Sequence, residues 1–166
     1  MPEIFEKYPM KIVLTFWLAT LVTWWVGWLI LDQLHWGLGV LYILYVLVLE
    51  FKIYPYCACC CYYGKRCAFG RGLIAAKFLK KRDSKLFCSK KVGWKEMFPS
   101  ILVILIPVVT GIYLLVKDFN WFGLVLVVFL ALIWFVFNPL FFGKLACCHC
   151  KQGSICCPAK SFFDKM

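Results

Sequence analysis

Two short stretches of the chain carry most of its potential chemistry. The first reads Cys57-Ala58-Cys59-Cys60-Cys61-Tyr62-Tyr63-Gly64-Lys65-Arg66-Cys67, and the second reads Cys147-Cys148-His149-Cys150-Lys151-Gln152-Gly153-Ser154-Ile155-Cys156-Cys157. Cys57, Cys60 and Cys67 are spaced C-x2-C-x6-C, and Cys147, Cys150 and Cys157 repeat that spacing. A C-x2-C pair lets two thiolates converge on one metal from a tight turn. Gly64 and Gly153 follow the pairs, where a reversal of the chain would bring the third cysteine back. Three ligands per segment leave a closed tetrahedral site one short. Cys59, Cys61 or Cys88 could complete the first set, and Cys148, His149 or Cys156 the second; the two segments could also share ligands. Lys65, Arg66, Arg71 and Lys151 stand close enough in sequence to favour thiolate over thiol.

Zinc accepts four thiolates, or three and an imidazole, and an iron–sulfur cluster accepts four thiolates. The spacing favours structural zinc only slightly over iron–sulfur. Cys157-Pro158 resembles the Cys-Pro that closes ferredoxin-type runs, but the ferredoxin C-x2-C-x2-C spacing is absent. A third use of adjacent thiols such as Cys59-Cys60-Cys61 and Cys147-Cys148 is transport or buffering of a soft ion. Against that reading, no apolar stretch contains a Cys. The competing non-metal explanation is that juxtamembrane thiols are acylated or simply packed. His35, beside Trp36, reads as an interfacial polar residue.

These segments need elements to position them, and composition says which. Of 166 residues, 64% are hydrophobic and 16% charged, against about 45–50% and 25% in soluble domains. A chain this short cannot hide that excess in a core, and disorder needs the opposite composition. Four stretches, 12–31, 34–49, 97–116 and 121–142, are long enough or nearly so to cross a bilayer, which takes about 20 apolar residues. In hydrocarbon every backbone group must be paired within the segment, which predicts helix. The first stretch has no A-x-A site after it and is too long for a signal peptide, so it reads as an uncleaved span. Asp32–Gln33 and Lys117–Asn120 are short connections, so spans 1–2 and 3–4 are predicted hairpins.

Residues 50–96 hold 12 of the 19 Lys and Arg, and the net charge is +11. The positive-inside rule then places both termini and residues 50–96 in the cytoplasm. Trp24, Trp25, Trp28, Trp36 and Trp121 gather toward the other face as an aromatic belt. On the cytoplasmic side thiols stay reduced, which argues for metal and against a framework of disulfides. The stretch 73–82 reads as a short interfacial helix, with Phe78 and Leu79 entering the bilayer and its cations on anionic headgroups. Topology and lipid contact thus explain the charge without nucleic acid.

The halves repeat one another. Glu6-Lys7-Tyr8-Pro9 opens span 1 and Glu96-Met97-Phe98-Pro99 opens span 3; Asp32 precedes Gly37-Leu38 as Asp118 precedes Gly123-Leu124; each hairpin leads into its cysteines. The predicted fold class is therefore an all-α integral membrane protein with four transmembrane helices. They form two tandem pseudo-symmetric hairpins with Cys-rich, metal-binding cytosolic segments. Residues 1–69 form the first hairpin and Cys segment, 70–95 the basic interfacial segment, and 96–166 the second hairpin and Cys-rich tail.

No nucleophile–base pair, zinc-protease helix motif or dinucleotide-binding glycine set is present, so an enzyme is not indicated. The spans as drawn hold no Asp, Glu, Lys or Arg, and their one histidine, His35, is at the outer edge of the second, which argues against proton-coupled transport. The expected function is a small scaffold whose cytosolic segments fold around metal and present a surface to a partner complex, other membrane subunits or a second copy. The alternative is an iron–sulfur electron-transfer subunit.

Overall fold

The computed structural model describes residues 3–89 and 94–156. The described residues are helical and carry no strand beyond a lone bridge between Phe5 and Cys150. The elements are α1 (Met10–Asp32), α2 (Trp36–Cys57), α3 (Arg71–Phe78), α4 (Lys85–Ser89), α5 (Trp94–Lys117), α6 (Trp121–Leu132), α7 (Asn138–Leu140) and α8 (Lys151–Cys156). Two wide-turned π-helical segments, Ile133–Phe137 and Phe141–Cys147, flank α7 and carry the fourth span on to Cys147. Pro139 withdraws a backbone donor between them, and the N–H of Asn138 reaches back five residues to the Ile133 carbonyl.

Four helices are long and apolar enough to cross a membrane: Met10–Asp32, Trp36–Cys57, Met97–Lys117 and Trp121–Cys147, as a multi-pass membrane protein requires. The second departs from expectation. It begins at Trp36 and continues past Leu49 to Cys57, taking Glu50, Lys52 and Pro55 into the helix. Helix does not need to stop where apolar sequence stops; the first polar turn continues the hydrogen-bond ladder that the span has nucleated. Glu50 is buried there, so this helix does carry an ionisable side chain.

The chain divides into two compact units. One comprises 19–50 and 93–138. Its core joins Val26 and Ile30 of α1 to Leu126 and Leu130 of α6, and Leu31 of α1 to Tyr42 and Val46 of α2. Small residues let the helices approach closely: the Tyr42 ring lies over Gly27, the Trp28 ring over Gly39, and Val127 over Gly111. Pro107 has no N–H, which leaves the Val103 carbonyl without its helical donor. The Tyr42 hydroxyl donates to that oxygen at 3.0 Å. Trp25, Trp36 and Trp121 are exposed, whereas Trp24 and Trp28 pack against the core. The Thr23 hydroxyl donates to Ala19 O of its own helix at 2.7 Å, as hydroxyls in a helix commonly do.

The other unit comprises 1–18, 51–92 and 139–166 and contains every described cysteine. Tyr8, Phe16, Tyr62, Phe141 and Ala146 are buried in it. Helix α3 starts against the turn that follows the first cysteines. A Cβ on Gly72 would collide with the backbone carbonyls of Tyr62 and Lys65, so only glycine allows this approach. Of the predicted interfacial stretch, α3 covers the part up to Phe78; Phe78 is exposed, while Ala75 is buried.

Candidate functional site

Within the cysteine-rich unit, α2 ends at Cys57 and the chain turns tightly through Cys60 and Tyr63, held by Cys60 N–H to Cys57 O at 3.3 Å and Tyr63 N–H to Cys60 O at 3.0 Å. Gly64 adopts φ +73°, and its N–H donates to Gly72 O at 3.1 Å. This is the expected reversal, and it carries the chain on to Cys67. The second segment achieves its turn differently. The π-helical segment ends at Cys147, Cys150 N–H donates to Cys147 O at 3.2 Å, and α8 begins at once. Gly153 lies inside α8, so the reversal expected there does not occur.

The cysteines sort into groups. Cys57, Cys60, Cys67, Cys147 and Cys150 line one cavity of about 260 Å³. These are the described members of the two C-x2-C-x6-C sets; the sixth, Cys157, lies outside the described residues. Apolar side chains such as Tyr8, Phe69, Phe87 and Phe142 make up much of the remaining wall. Cys59 and Cys148 turn back onto their own helices, donating to Pro55 O at 3.6 Å and Lys144 O at 2.7 Å. Cys61 sits beside Cys60 but off the cavity wall.

Cys88 and Cys156 depart from expectation. Each was a candidate fourth ligand for a different segment, and the structure joins them in a disulfide across 68 positions. A sulfur bonded to sulfur is not a thiolate ligand, so neither completes a metal site while the bond holds. Connectivity between cysteines is not encoded in their spacing. The other eight described cysteines are not in disulfides.

His149 is also placed differently from a ligand. Its ring stacks on Phe5 at 4.5 Å, and Nδ1 lies 2.6 Å from the Glu3 carbonyl. A carbonyl only accepts, so Nδ1 is the donor in this contact. Among the described residues, no group of three His, Cys, Asp or Glu side chains is drawn together tightly enough to hold an ion. The three-thiolate centre expected within each segment is thus not formed; thiols of both segments stand instead around a shared space.

The two segments are tied to each other by a reciprocal pair of hydrogen bonds. Cys61 N–H donates to Gln152 Oε1 at 2.9 Å, and Lys151 N–H donates to the Tyr62 hydroxyl at 3.0 Å. Cys61 and Lys151 are as far apart in sequence as Cys57 and Cys147, and so are Tyr62 and Gln152. Each segment therefore supplies a side-chain acceptor to the equivalent backbone donor of the other. Gln152, 3% exposed, uses its amide nitrogen as well, donating to Cys156 Sγ at 3.3 Å.

The N-terminal residues strap both segments, a role that spacing did not announce. Phe5 donates its N–H to His149 O at 3.1 Å and accepts from the Tyr62 hydroxyl at 2.6 Å. Tyr8 donates its N–H to Arg66 O at 3.0 Å and its hydroxyl to Ala146 O at 2.5 Å. Glu6 bridges Lys151 at 2.5 Å and Lys65 at 3.2 Å. Those lysines, first among them Lys151, hold the Glu6 carboxyl below its ordinary range, and Glu6 in turn raises Lys151. Two of the cations expected to serve thiolates are thus engaged with a carboxylate. Arg71 does reach the cavity wall, its guanidinium 5.5 Å from the ring centres of both Phe16 and Phe69.

Burial dominates the acid–base behaviour. It pushes the Cys60 thiol up, opposed by a backbone N–H bond from Tyr62 and reinforced by Cys61, Cys150 and Cys67 nearby. Cys61 rises for the same first reason, and the Tyr62 hydroxyl is pushed up to about 12 by burial. The wall at Cys60 therefore presents a neutral thiol at pH 7, and a metal ion must displace its proton to bind. Compared with known proteins, the chain matches no protein family, no curated sequence and no solved structure.

Proposed function

We propose that the chain is a multi-pass membrane protein whose two hairpin-plus-cysteine units build one metal site together on the cytosolic side of the bilayer. One observation carries the reading: five cysteines at equivalent positions of the two segments line a single cavity. Its other supports are the reciprocal bonds between Cys61 and Gln152 and between Lys151 and Tyr62. Metal binding supplies folding free energy to the segments that contribute its ligands. The cysteine-rich unit is then a metal-locked platform beside the membrane, with the cations of residues 77–85 on anionic headgroups and its outer surface available to a partner subunit.

The test is elemental analysis of protein purified anaerobically from membranes in mild detergent. Metal is expected at a constant ratio to chain. Cys57→Ser and Cys150→Ser, one in each segment, should each remove the same metal entirely, whereas Trp25→Phe, on an exposed side chain, should leave it in place. Metal below one equivalent per chain in the parent protein would refute the reading. Loss of only half the metal in each cysteine variant would show two separate sites and refute the shared one.

A further inference from the structure

From the size and lining of the cavity we infer that the cofactor is a sulfide-bridged iron–sulfur cluster of the four-iron type, held by Cys57, Cys60, Cys147 and Cys150, and not a single ion. The inference rests on the reading above and specifies what the shared site takes.

Volume is the first argument. A single ion bound by four thiolates draws each sulfur to about 2.3 Å from the metal, which places the sulfurs about 3.8 Å apart around a point. Such a centre has no interior to fill. Here the thiols stand on the walls of a space of about 260 Å³, whereas holding one water takes about 10–15 Å³ by the same measure. One ion would fill little of that space, and the described thiols are not drawn together around a point as a single ion requires. A cluster that brings its own inorganic sulfide fills the centre itself and needs protein sulfur only at its corners.

Ligand supply is the second argument. The two C-x2-C pairs offer two thiols from each side, the four that a cubane cluster uses. Cys67 also stands on the wall, so four thiolates are met with one to spare. Thiolate-bridged clusters of zinc or copper without sulfide would need those protein sulfurs to bridge metals at the centre, and they lie at the periphery.

The third argument is the surroundings. The wall is largely apolar and aromatic, which keeps water from a cluster and favours a small net charge on it. The backbone N–H of Tyr62 is bonded to the Cys60 sulfur, the kind of donor that tunes a cluster through its thiolates. Arg71 adds one cation at the wall.

The experiment measures iron, acid-labile sulfide and zinc together on full-length protein isolated anaerobically, and again after reconstitution with ferric iron, a thiol reductant that converts part of it to ferrous, and sulfide. About four iron and four sulfide per chain, with a brown colour, are expected. Cys59→Ser and Cys148→Ser, whose thiols are bonded to their own helices, should retain the cluster, and Cys60→Ser and Cys147→Ser should lose it. Circular dichroism and gel filtration identify any variant that has simply failed to fold; the parent protein alone decides the cofactor class. One zinc per chain without sulfide, unchanged by reconstitution, overturns the cluster and leaves the shared metal site standing. Absence of every metal, before and after reconstitution, overturns both.

Discussion

The bond between Tyr42 and the carbonyl that Pro107 orphans is the most exacting test of the helical unit. Tyr42 is 4% exposed and Val103 partly buried, and within a membrane span a carbonyl deprived of the hydroxyl has no water to turn to. Leaving a buried acceptor unpaired costs about 1–3 kcal/mol in proteins generally, while hydrogen bonds between membrane helices average about 0.6 and reach about 1.7 kcal/mol. We therefore expect Tyr42→Phe to destabilise by about 1 kcal/mol, a roughly five-fold shift in the folded-to-unfolded ratio. Pro107→Ala restores an N–H at the helical position that serves Val103. In that background the carbonyl keeps a partner, and Tyr42→Phe should lose most of its effect. The coupling in a double-mutant cycle is the quantity to read, from unfolding by graded sodium dodecyl sulfate in non-ionic micelles, because it cancels the void that Pro107→Ala leaves. An equal cost of Tyr42→Phe in both backgrounds would refute the account, since the hydroxyl would then matter for packing alone.

Other outcomes follow from the cysteine-rich unit. Peptide mapping without reductant should recover Cys88 linked to Cys156, and reduction should expose two further alkylatable thiols; recovery of both as unlinked peptides would remove that disulfide from the fold. Gly72→Ala should destabilise by about 1–3 kcal/mol as its methyl meets backbone, while Gly143→Ala, which points into open space, should be near neutral in the same detergent unfolding assay. Because the Glu6 carboxyl is held below its ordinary value of 4.5, its contribution is complete above that pH and is lost as pH falls through the lowered value. Limited proteolysis after residue 11 should then quicken below pH 4.5 in the parent, and Glu6→Gln should remove that step. Since Cys60 must shed a proton that burial holds tightly, metal retention should weaken as pH falls; affinity flat from pH 8 to 6 would exclude Cys60 as a ligand.

Much of the fold is legible in the sequence because the bilayer leaves so few options. Long charge-free runs must be helices, and four helices of that kind are present. Their ends are less legible. Nothing in Glu50, Lys52 and Pro55 reads as membrane span by composition, yet α2 continues through them to deliver Cys57. Spacing distinguishes Cys57, Cys60 and Cys67 from Cys59 and Cys61, and only the first three reach the cavity wall. A residue's direction on a turn depends on its register, not on its being cysteine, so Cys148 and His149 could not be told from Cys147 and Cys150 by type. The disulfide and the strap of Phe5, Glu6 and Tyr8 were illegible for another reason. They join residues far apart in the chain, and such pairs leave no local pattern.

The reciprocal bonds between the segments have an evolutionary corollary. Tyr62 and Gln152 occupy matching places, and one offers a phenol where the other offers an amide, so the exchange does not depend on one acceptor chemistry. Loss of either acceptor leaves a part-buried backbone N–H on the opposite segment without that partner. Positions 62 and 152 should therefore keep side chains able to accept a hydrogen bond among descendants of this chain, whereas exposed positions such as 78 vary freely.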